Sequence, residues 1–107
     1  MGWTVEILNT SVAAEIDGWP LPVRASLLKI VERIEAVGLQ SLREPHVKHL
    51  RGKIWEMRPS AGGNDGRALY VTATGAHVVI VVAFLKKGQK TPQHWLEVAE
   101  ARANDIK

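Results

Sequence analysis

The stretch HVVIVVAFL, from His77 to Leu85, decides the fold of this 107-residue chain. It is apolar on both sides and rich in β-branched residues, which is the pattern of a strand covered on both faces. Lys86 and Lys87 follow immediately, and their charges cannot continue such a strand. We therefore predict that residues 77–85 form the central strand of a sheet.

The residues before this strand also repeat with a period of two. Residues 54–58 alternate between apolar and polar side chains, and residues 67–72 resume the alternation after a loop at 59–66 that is rich in Gly, Asn and Ser. Residues 73–76 have the composition of a hairpin turn. The pattern predicts three consecutive antiparallel strands.

The N-terminal part predicts one strand and two helices. Residues 3–8 alternate as a short strand with one buried face. Asn9 to Ser11 can cap a short helix at 12–16. Apolar residues then recur at helical spacing from Val23 to Val37, with prolines at the start and Gly38 at the end.

Thr91 and Pro92 open a last helix, so the predicted order is β-α-α-β-β-β-α. This order is typical of the α+β class. We expect a small, antiparallel-dominated, four-stranded sheet packed against two N-terminal helices, with the helices on one face and a C-terminal helix at the end. The first strand should run parallel to a neighbour through a right-handed crossover. Residues 1–107 are expected to form a single domain.

Charge is distributed unevenly along the chain. The net charge of +3 divides into −2 over residues 1–42, +3 over residues 43–58 and +2 from residue 59 onward. A basic second half favours a polyanionic partner, either nucleic acid or an acidic peptide, although a small positive charge is also common on solvated surfaces.

Several functions are excluded or disfavoured by composition. The chain has no cysteine, which excludes disulfides, thiolate metal sites and cysteine nucleophiles. The four histidines are scattered without metal-ligand spacing, so neither a metal nor another cofactor is expected. The longest apolar run is far shorter than the ~20 residues of a membrane span, and the first residues do not resemble a secretory signal. We expect a cytoplasmic protein.

Three segments carry a family resemblance: LRGKIWEMR at 50–58, GRALYV at 66–71 and FLKKGQKTP at 84–92. Their order and spacing resemble the HigB-like branch of the RelE/ParE toxin superfamily, which includes phage-derived Gp49-like proteins. The resemblance implies the toxin of a type II toxin–antitoxin system, a ribosome-dependent mRNA endonuclease that arrests translation. It also implies a cognate antitoxin, expected to be a helix-turn-helix protein.

Arg58 and Arg67 are the first candidate site residues. They end one predicted strand and begin the next, so a hairpin would bring both guanidiniums to one end of the sheet. Planar guanidiniums suit phosphate oxygens better than lysine does. The resemblance gives Arg67 the role of stabilising the phosphate. The alternative is that one arginine pairs with Glu56 or Asp65 on the surface.

Further cations and one histidine complete the predicted site. Lys86, Lys87 and Lys90 leave the end of the central strand, and Lys53 precedes the strand at 54–58. His94 is the one histidine near that cluster and could exchange a proton. We assign Arg67, Lys87 and His94 to catalysis and Lys53, Arg58, Lys86 and Lys90 to RNA phosphates.

Alternatives remain open because His94 is the only residue that we assign to proton transfer. The only tyrosine, Tyr70, lies within a predicted strand, and its position indicates a structural role. The spacing of Trp55 and Trp95 favours packing in the core over stacking on bases. The chain could instead be a non-nucleolytic, ParE-like inhibitor of gyrase, or an inactive member of the fold that binds only the antitoxin.

Overall fold

A computed structural model describes residues 2–87 and 90–106. Within these residues, three helices and six strands follow one another. In order they are β1 (Thr4–Ile7), α1 (Thr10–Asp17), α2 (Leu21–Val37), a 3₁₀ turn (Leu39–Ser41), β2 (Val47–Arg51), β3 (Ile54–Met57), β4 (Ser60–Ala61), β5 (Asn64–Ala73), β6 (His77–Leu85) and α3 (Gln93–Ala103). The α+β class is confirmed.

The sheet has the strand order β1-β6-β5-β3-β2, with the short β4 pairing only with β5. β1 runs parallel to β6, with Thr4 opposite His77, while the other pairs are antiparallel. The parallel first strand and the bounds of β6 at 77–85 are therefore confirmed.

The expected number of four strands is wrong, because the sequence pattern does not predict β2 and β4. β2 is an edge strand whose sequence, VKHLR, buries only Val47 fully, so it has little apolar alternation to reveal it. The predicted loop at 59–66 contains a hairpin between β4 and β5. Gly62 and Gly63 form its turn with φ values of 60° and 82°, a region of backbone conformation that glycine adopts without strain.

Helices cover both faces of the sheet, which corrects the expectation of helices on one face. α1 and α2 pack with Val78 and Ile80 in one apolar core. α3 packs with Val79 and Val81 in a second core on the opposite face. Because side chains alternate along a strand, β6 supplies both cores and is buried through most of its length.

The outer edge of β6 is closed by side chains beyond the end of β1. The last backbone contact of the N-terminal strand is the N–H of Leu8 donating to the carbonyl of Ile80, at 3.0 Å. Further along, Glu15 of α1 accepts from the backbone N–H of Ala83 at 3.0 Å, and Arg102 of α3 donates to the carbonyl of Val81 at 2.8 Å. These contacts satisfy polar groups that an open strand edge would leave unpaired.

The helix ends follow the sequence signals. Asn9 caps α1 by accepting a hydrogen bond from the backbone N–H of Val12 at 3.1 Å. Pro22 lies in the first turn of α2, and Gly38 ends that helix with a φ of 95°. Among the described residues, no helix is long and apolar enough to cross a membrane.

Candidate functional site

A buried carboxylate joins the two arginines that the sequence singles out. Glu56 is 1% exposed and lies on β3. Its Oε2 accepts from Nη2 of Arg58 at 3.2 Å. Its Oε1 lies 3.3 Å from Nε of Arg67, an ion-pair distance without the alignment of a hydrogen bond. One negative charge therefore holds two cations at the same end of the sheet.

Strand register places these side chains together. Glu56 is opposite Leu69 in the antiparallel pair of β3 and β5, and Arg67 lies two residues before Leu69. Residues two apart on a strand share a face, so Glu56 and Arg67 are diagonal neighbours. Leu69 belongs to the core under α3, which identifies this face as the α3 side of the sheet.

The segment that leads into α3 also reaches the carboxylate. The hydroxyl of Thr91 donates to Oε1 of Glu56 at 3.1 Å. This contact ties the start of the C-terminal helix to the strand ends. His94 follows Thr91 by three residues, and its ring lies 4.9 Å from that of Trp95, measured between centroids. His94 is exposed and so is open to a ligand.

The site is electropositive and partly shielded from water. Burial is the main cause that lowers the pKa of the Arg67 guanidinium. The negative charge of Glu56 raises this pKa, and the positive charge of Arg58 lowers it, but burial has the largest effect. The pKa of Lys86 is also lowered, first by burial and then by the charge of Arg67. The backbone N–H of Lys86 donates to the carbonyl of Asp65, two residues before Arg67, at 2.7 Å. Nη1 of Arg67 donates to the carbonyl of Gly66 at 2.7 Å, which fixes the orientation of the guanidinium.

The structure brings together some of the predicted residues and separates one of them. Arg58, Arg67 and Lys86 share one end of the sheet. Lys53 lies in the turn at the other end of β3. Because each residue of a strand adds about 3.3 Å, Lys53 lies about 16 Å from Arg58. A role for Lys53 on the same phosphate as Arg58 is therefore not supported by the geometry.

The remaining predicted cations lie beyond β6. Lys87 and Lys90 are exposed, and the two residues between them, 88 and 89, lie outside the described part of the chain.

The aromatic predictions had mixed outcomes. Trp95 stacks on Phe84, with 5.2 Å between ring centroids and 7° between planes. Trp55, in contrast, is 39% exposed, so the core interpretation is wrong for it.

Glu56 is the residue whose role sequence reasoning underestimated. The sequence suggests it only as a surface partner for one arginine, whereas it is buried and pairs with both. Asp65, the other proposed partner, instead accepts from the hydroxyl of Ser60 at 2.9 Å. The alternation of residues 54–58 did not reveal this burial, because Glu56 and Arg58 fall in its polar phase, opposite Trp55 and Met57.

Metal ligands are not clustered in the described part of the molecule. Across residues 2–87 and 90–106, no group of three or more His, Cys, Asp or Glu side chains is arranged to hold a metal ion.

Comparison with known proteins identifies relatives over most of the chain. The family model "Phage derived protein Gp49-like (DUF891)" matches residues 14–104, which include Glu56, Arg58 and Arg67. Two relatives from Mycobacterium tuberculosis, strains CDC 1551 / Oshkosh and ATCC 25618 / H37Rv, are each named "Probable endoribonuclease HigB1". Each is 36% identical over 85 residues, or 79% of this chain. The chain covers 65% of the length of these relatives.

Proposed function

The chain belongs to the phage-derived Gp49-like family, and from this membership we propose that it is the toxin of a type II toxin–antitoxin pair. We propose that it cleaves mRNA on the ribosome without a metal ion and that a cognate antitoxin inhibits it. The name of the mycobacterial relatives supports an endoribonuclease activity. The observation that carries the proposal is the pair of guanidiniums held by Glu56 beside Lys86.

The proposed reaction uses the 2′-hydroxyl of the RNA as the nucleophile. The 2′-oxygen forms a bond to the adjacent phosphorus while the bond from phosphorus to the 5′-oxygen of the next nucleotide breaks. One proton leaves the 2′-hydroxyl and another reaches the departing 5′-oxygen. The products are a cyclic phosphate and a free 5′-hydroxyl. The protein must therefore stabilise a phosphate that gains negative charge and must transfer protons.

Arg58 and Arg67 would stabilise that phosphate. Their charges persist at any physiological pH, and the planar guanidinium can bind two phosphate oxygens at once. Arg58 has 22% of its side chain exposed, against 8% for Arg67, so Arg58 is the more accessible of the two. Glu56 would act as a positioning residue, since its carboxylate holds both guanidiniums before RNA arrives.

Lys87 and His94 would complete the catalytic group. Lys86, Lys87 and Lys90 lie at or just beyond the end of β6 and would add positive charge for the RNA phosphates. His94 is exposed on the first turn of α3, one helical turn from Thr91, which contacts Glu56. A histidine in this place can donate a proton to the 5′-oxygen near neutral pH.

An experiment with purified ribosomes and a defined mRNA tests the proposal. Wild-type protein should cut the transcript, and Arg67→Ala should lower cleavage by roughly 100-fold, as expected when one preorganised charge at a transition state is removed. Arg67→Lys, which keeps the charge but loses the planar guanidinium, should fall between the two. Circular dichroism of each variant establishes that the fold is retained, because Arg67 is buried.

Three outcomes would contradict the proposal. Undiminished cleavage by a folded Arg67→Ala protein would remove this arginine from the site. Intact transcripts together with trapped DNA breaks in the presence of gyrase would identify a gyrase inhibitor. Intact transcripts and normal growth on expression without an antitoxin would identify an inactive, antitoxin-binding member.

The last of these alternatives has one structural observation in its favour. Both arginines already contact an anion, Glu56, in the free protein. A substrate phosphate must therefore compete with a carboxylate for the same guanidiniums. Expression of the chain alone, with growth as the readout, separates an active toxin from a binding protein that keeps the fold.

A further inference from the structure

A large open groove adjoins the arginine pair on the side of α2. Its volume is about 930 Å³. α2, the segment after it and the ends of the neighbouring strands form its walls. The lining residues are Ser26, Lys29, Ile30, Arg33, Ser41, Leu42, Arg43, Glu44, Pro45, His46, Arg58, Ser60 and Arg67. The groove therefore extends from the candidate catalytic cluster across a different surface of the molecule.

Positive charge dominates this groove. Five cationic side chains line it, against the carboxylate of Glu44 in the lining and that of the buried Glu56, which pairs with Arg58 and Arg67. Lys29 and Arg33 are four residues apart on α2, so their side chains lie next to each other on the helix surface. Within residues 2–87 and 90–106, Lys29, Arg33 and Arg43 have no carboxylate within 4 Å. All three are exposed, so their charges face the solvent and are open to a ligand.

We propose that this groove is a second RNA-binding site, which holds backbone phosphates of the RNA outside the bond that is cut. The inference rests on the proposed function, because Arg58 and Arg67 are shared by the groove and the catalytic cluster. An RNA strand whose reacting phosphate lies at these arginines can continue into the groove. Its flanking phosphates would then meet Lys29, Arg33 and Arg43.

The lining favours the RNA backbone over the bases. His46 is the one aromatic side chain among the described lining residues, and no Trp, Tyr or Phe joins it, so the groove has little surface for base stacking. Cations and the hydroxyls of Ser26 and Ser41 remain, and these are groups that contact phosphates and sugars. Such contacts position a strand without reading its sequence. The groove would therefore raise affinity for RNA of any sequence.

Continuity with the arginine pair also favours RNA over an acidic polypeptide. A peptide carboxylate and an RNA phosphate would both compete with Glu56 for the arginines, but an acidic peptide spaces its charges irregularly. RNA would instead present one chain of evenly spaced charges to both regions. The release of counterions from that chain gives binding a steep dependence on salt, which can be measured.

Binding of a short single-stranded RNA with 2′-O-methyl groups tests the proposal, because this RNA cannot be cut through its 2′-oxygens. The dissociation constant is measured over a range of salt concentrations for the wild-type protein and for Lys29→Ala/Arg33→Ala. Loss of two phosphate contacts should weaken binding and reduce the slope of log affinity against log salt by about 1.4. The single-charge control is Lys48→Ala, which removes an exposed charge from β2 that lies opposite Glu56 in the sheet but is not part of the groove lining.

The outcomes separate this site from the proposed function. A slope that the double variant shares with the wild type, or an equal decrease in Lys48→Ala, would overturn the groove as an RNA site while leaving ribosomal cleavage to its own test. Unchanged RNA binding with a lost affinity for polyglutamate would assign the groove to an acidic protein instead. Loss of cleavage in Arg67→Ala together with the expected decrease in slope would support both proposals.

Discussion

Glu15 and Arg102 lie 87 positions apart in the chain and form an ion pair at the outer edge of β6. Nη2 of Arg102 is 3.0 Å from Oε2 of Glu15. The same two side chains bind the N–H of Ala83 and the carbonyl of Val81. The first and the last helix thus meet at the central strand and cover the part of its edge that β1 does not reach.

Arg102→Ala should destabilise the protein by about 1–3 kcal/mol, because it removes charge-assisted hydrogen bonds and leaves the carbonyl of Val81 without its partner. Urea unfolding followed by tryptophan fluorescence measures the change. Arg51→Ala is the matched control, since Arg51 forms a solvent-exposed ion pair with Glu100 at 2.7 Å. Exposed pairs contribute little, so an equal loss in the two variants would contradict the role assigned to the edge.

Glu56→Gln should lower the free energy of unfolding by about 3 kcal/mol at neutral pH. The substitution keeps the size of the side chain but leaves two arginines close together without the charge that pairs them. Chemical denaturation gives the value. In a double-mutant cycle, adding Arg58→Gln should recover part of the loss. A Glu56→Gln protein as stable as the wild type would show that the carboxylate does not hold the cluster.

The single tyrosine makes one pH dependence directly visible. Burial raises the pKa of Tyr70 from 10.0 to about 12. Because the folded state holds this proton more tightly, the contribution to stability is complete below pH 10 and is lost as the pH rises towards 12. The loss should be roughly 2–3 kcal/mol.

Ultraviolet absorbance of the phenolate measures this titration. The folded protein should ionise near pH 12, and the urea-unfolded chain near pH 10. Tyr70→Phe is the control, since it removes the phenol and should make stability between these two pH values less dependent on pH. Ionisation of the native protein near pH 10 would mean that Tyr70 is accessible to water.

Gly66→Ala should destabilise the protein by about 1–3 kcal/mol through overpacking. A Cβ at this position would lie 2.9 Å from Cγ1 of Val23 and 3.0 Å from Cη2 of Trp19. The carbonyl of Gly66 also accepts from Arg67, so movement here should lower cleavage as well. Gly2→Ala, where a Cβ would have open space, is the control for thermal unfolding. Equal melting temperatures of Gly66→Ala and Gly2→Ala would show that the side chains of Val23 and Trp19 move to accommodate the added methyl group without loss of stability.

The strongest sequence signals were those in which burial and periodicity agreed. The strand at His77–Leu85 is buried on both faces, and its run of β-branched residues marked it within its observed bounds. The helix at Leu21–Val37 was equally clear, because its apolar stripe faces a core and Gly38 ends it. A pattern predicts an element well when the element must bury a full face.

The missed features depend on contacts between distant segments. β2 is held by pairing with β3, and its exposed Lys48 and His49 give no strand-like alternation. The position of α3 follows from the stacking of Trp95 on Phe84 and from the Arg102 contacts, which no local pattern contains. Similarly, the dual pairing of Glu56 requires the registers of β3 and β5, which fix its distance to Arg67.

The parallel pairing of β1 with β6 also affects how the protein is made. Thr4 leaves the ribosome early, whereas its partner, His77, is added much later. At roughly 5–20 residues per second, the N-terminal segment waits several seconds for a surface to join. The sheet therefore cannot be completed until synthesis has reached the residues of β6.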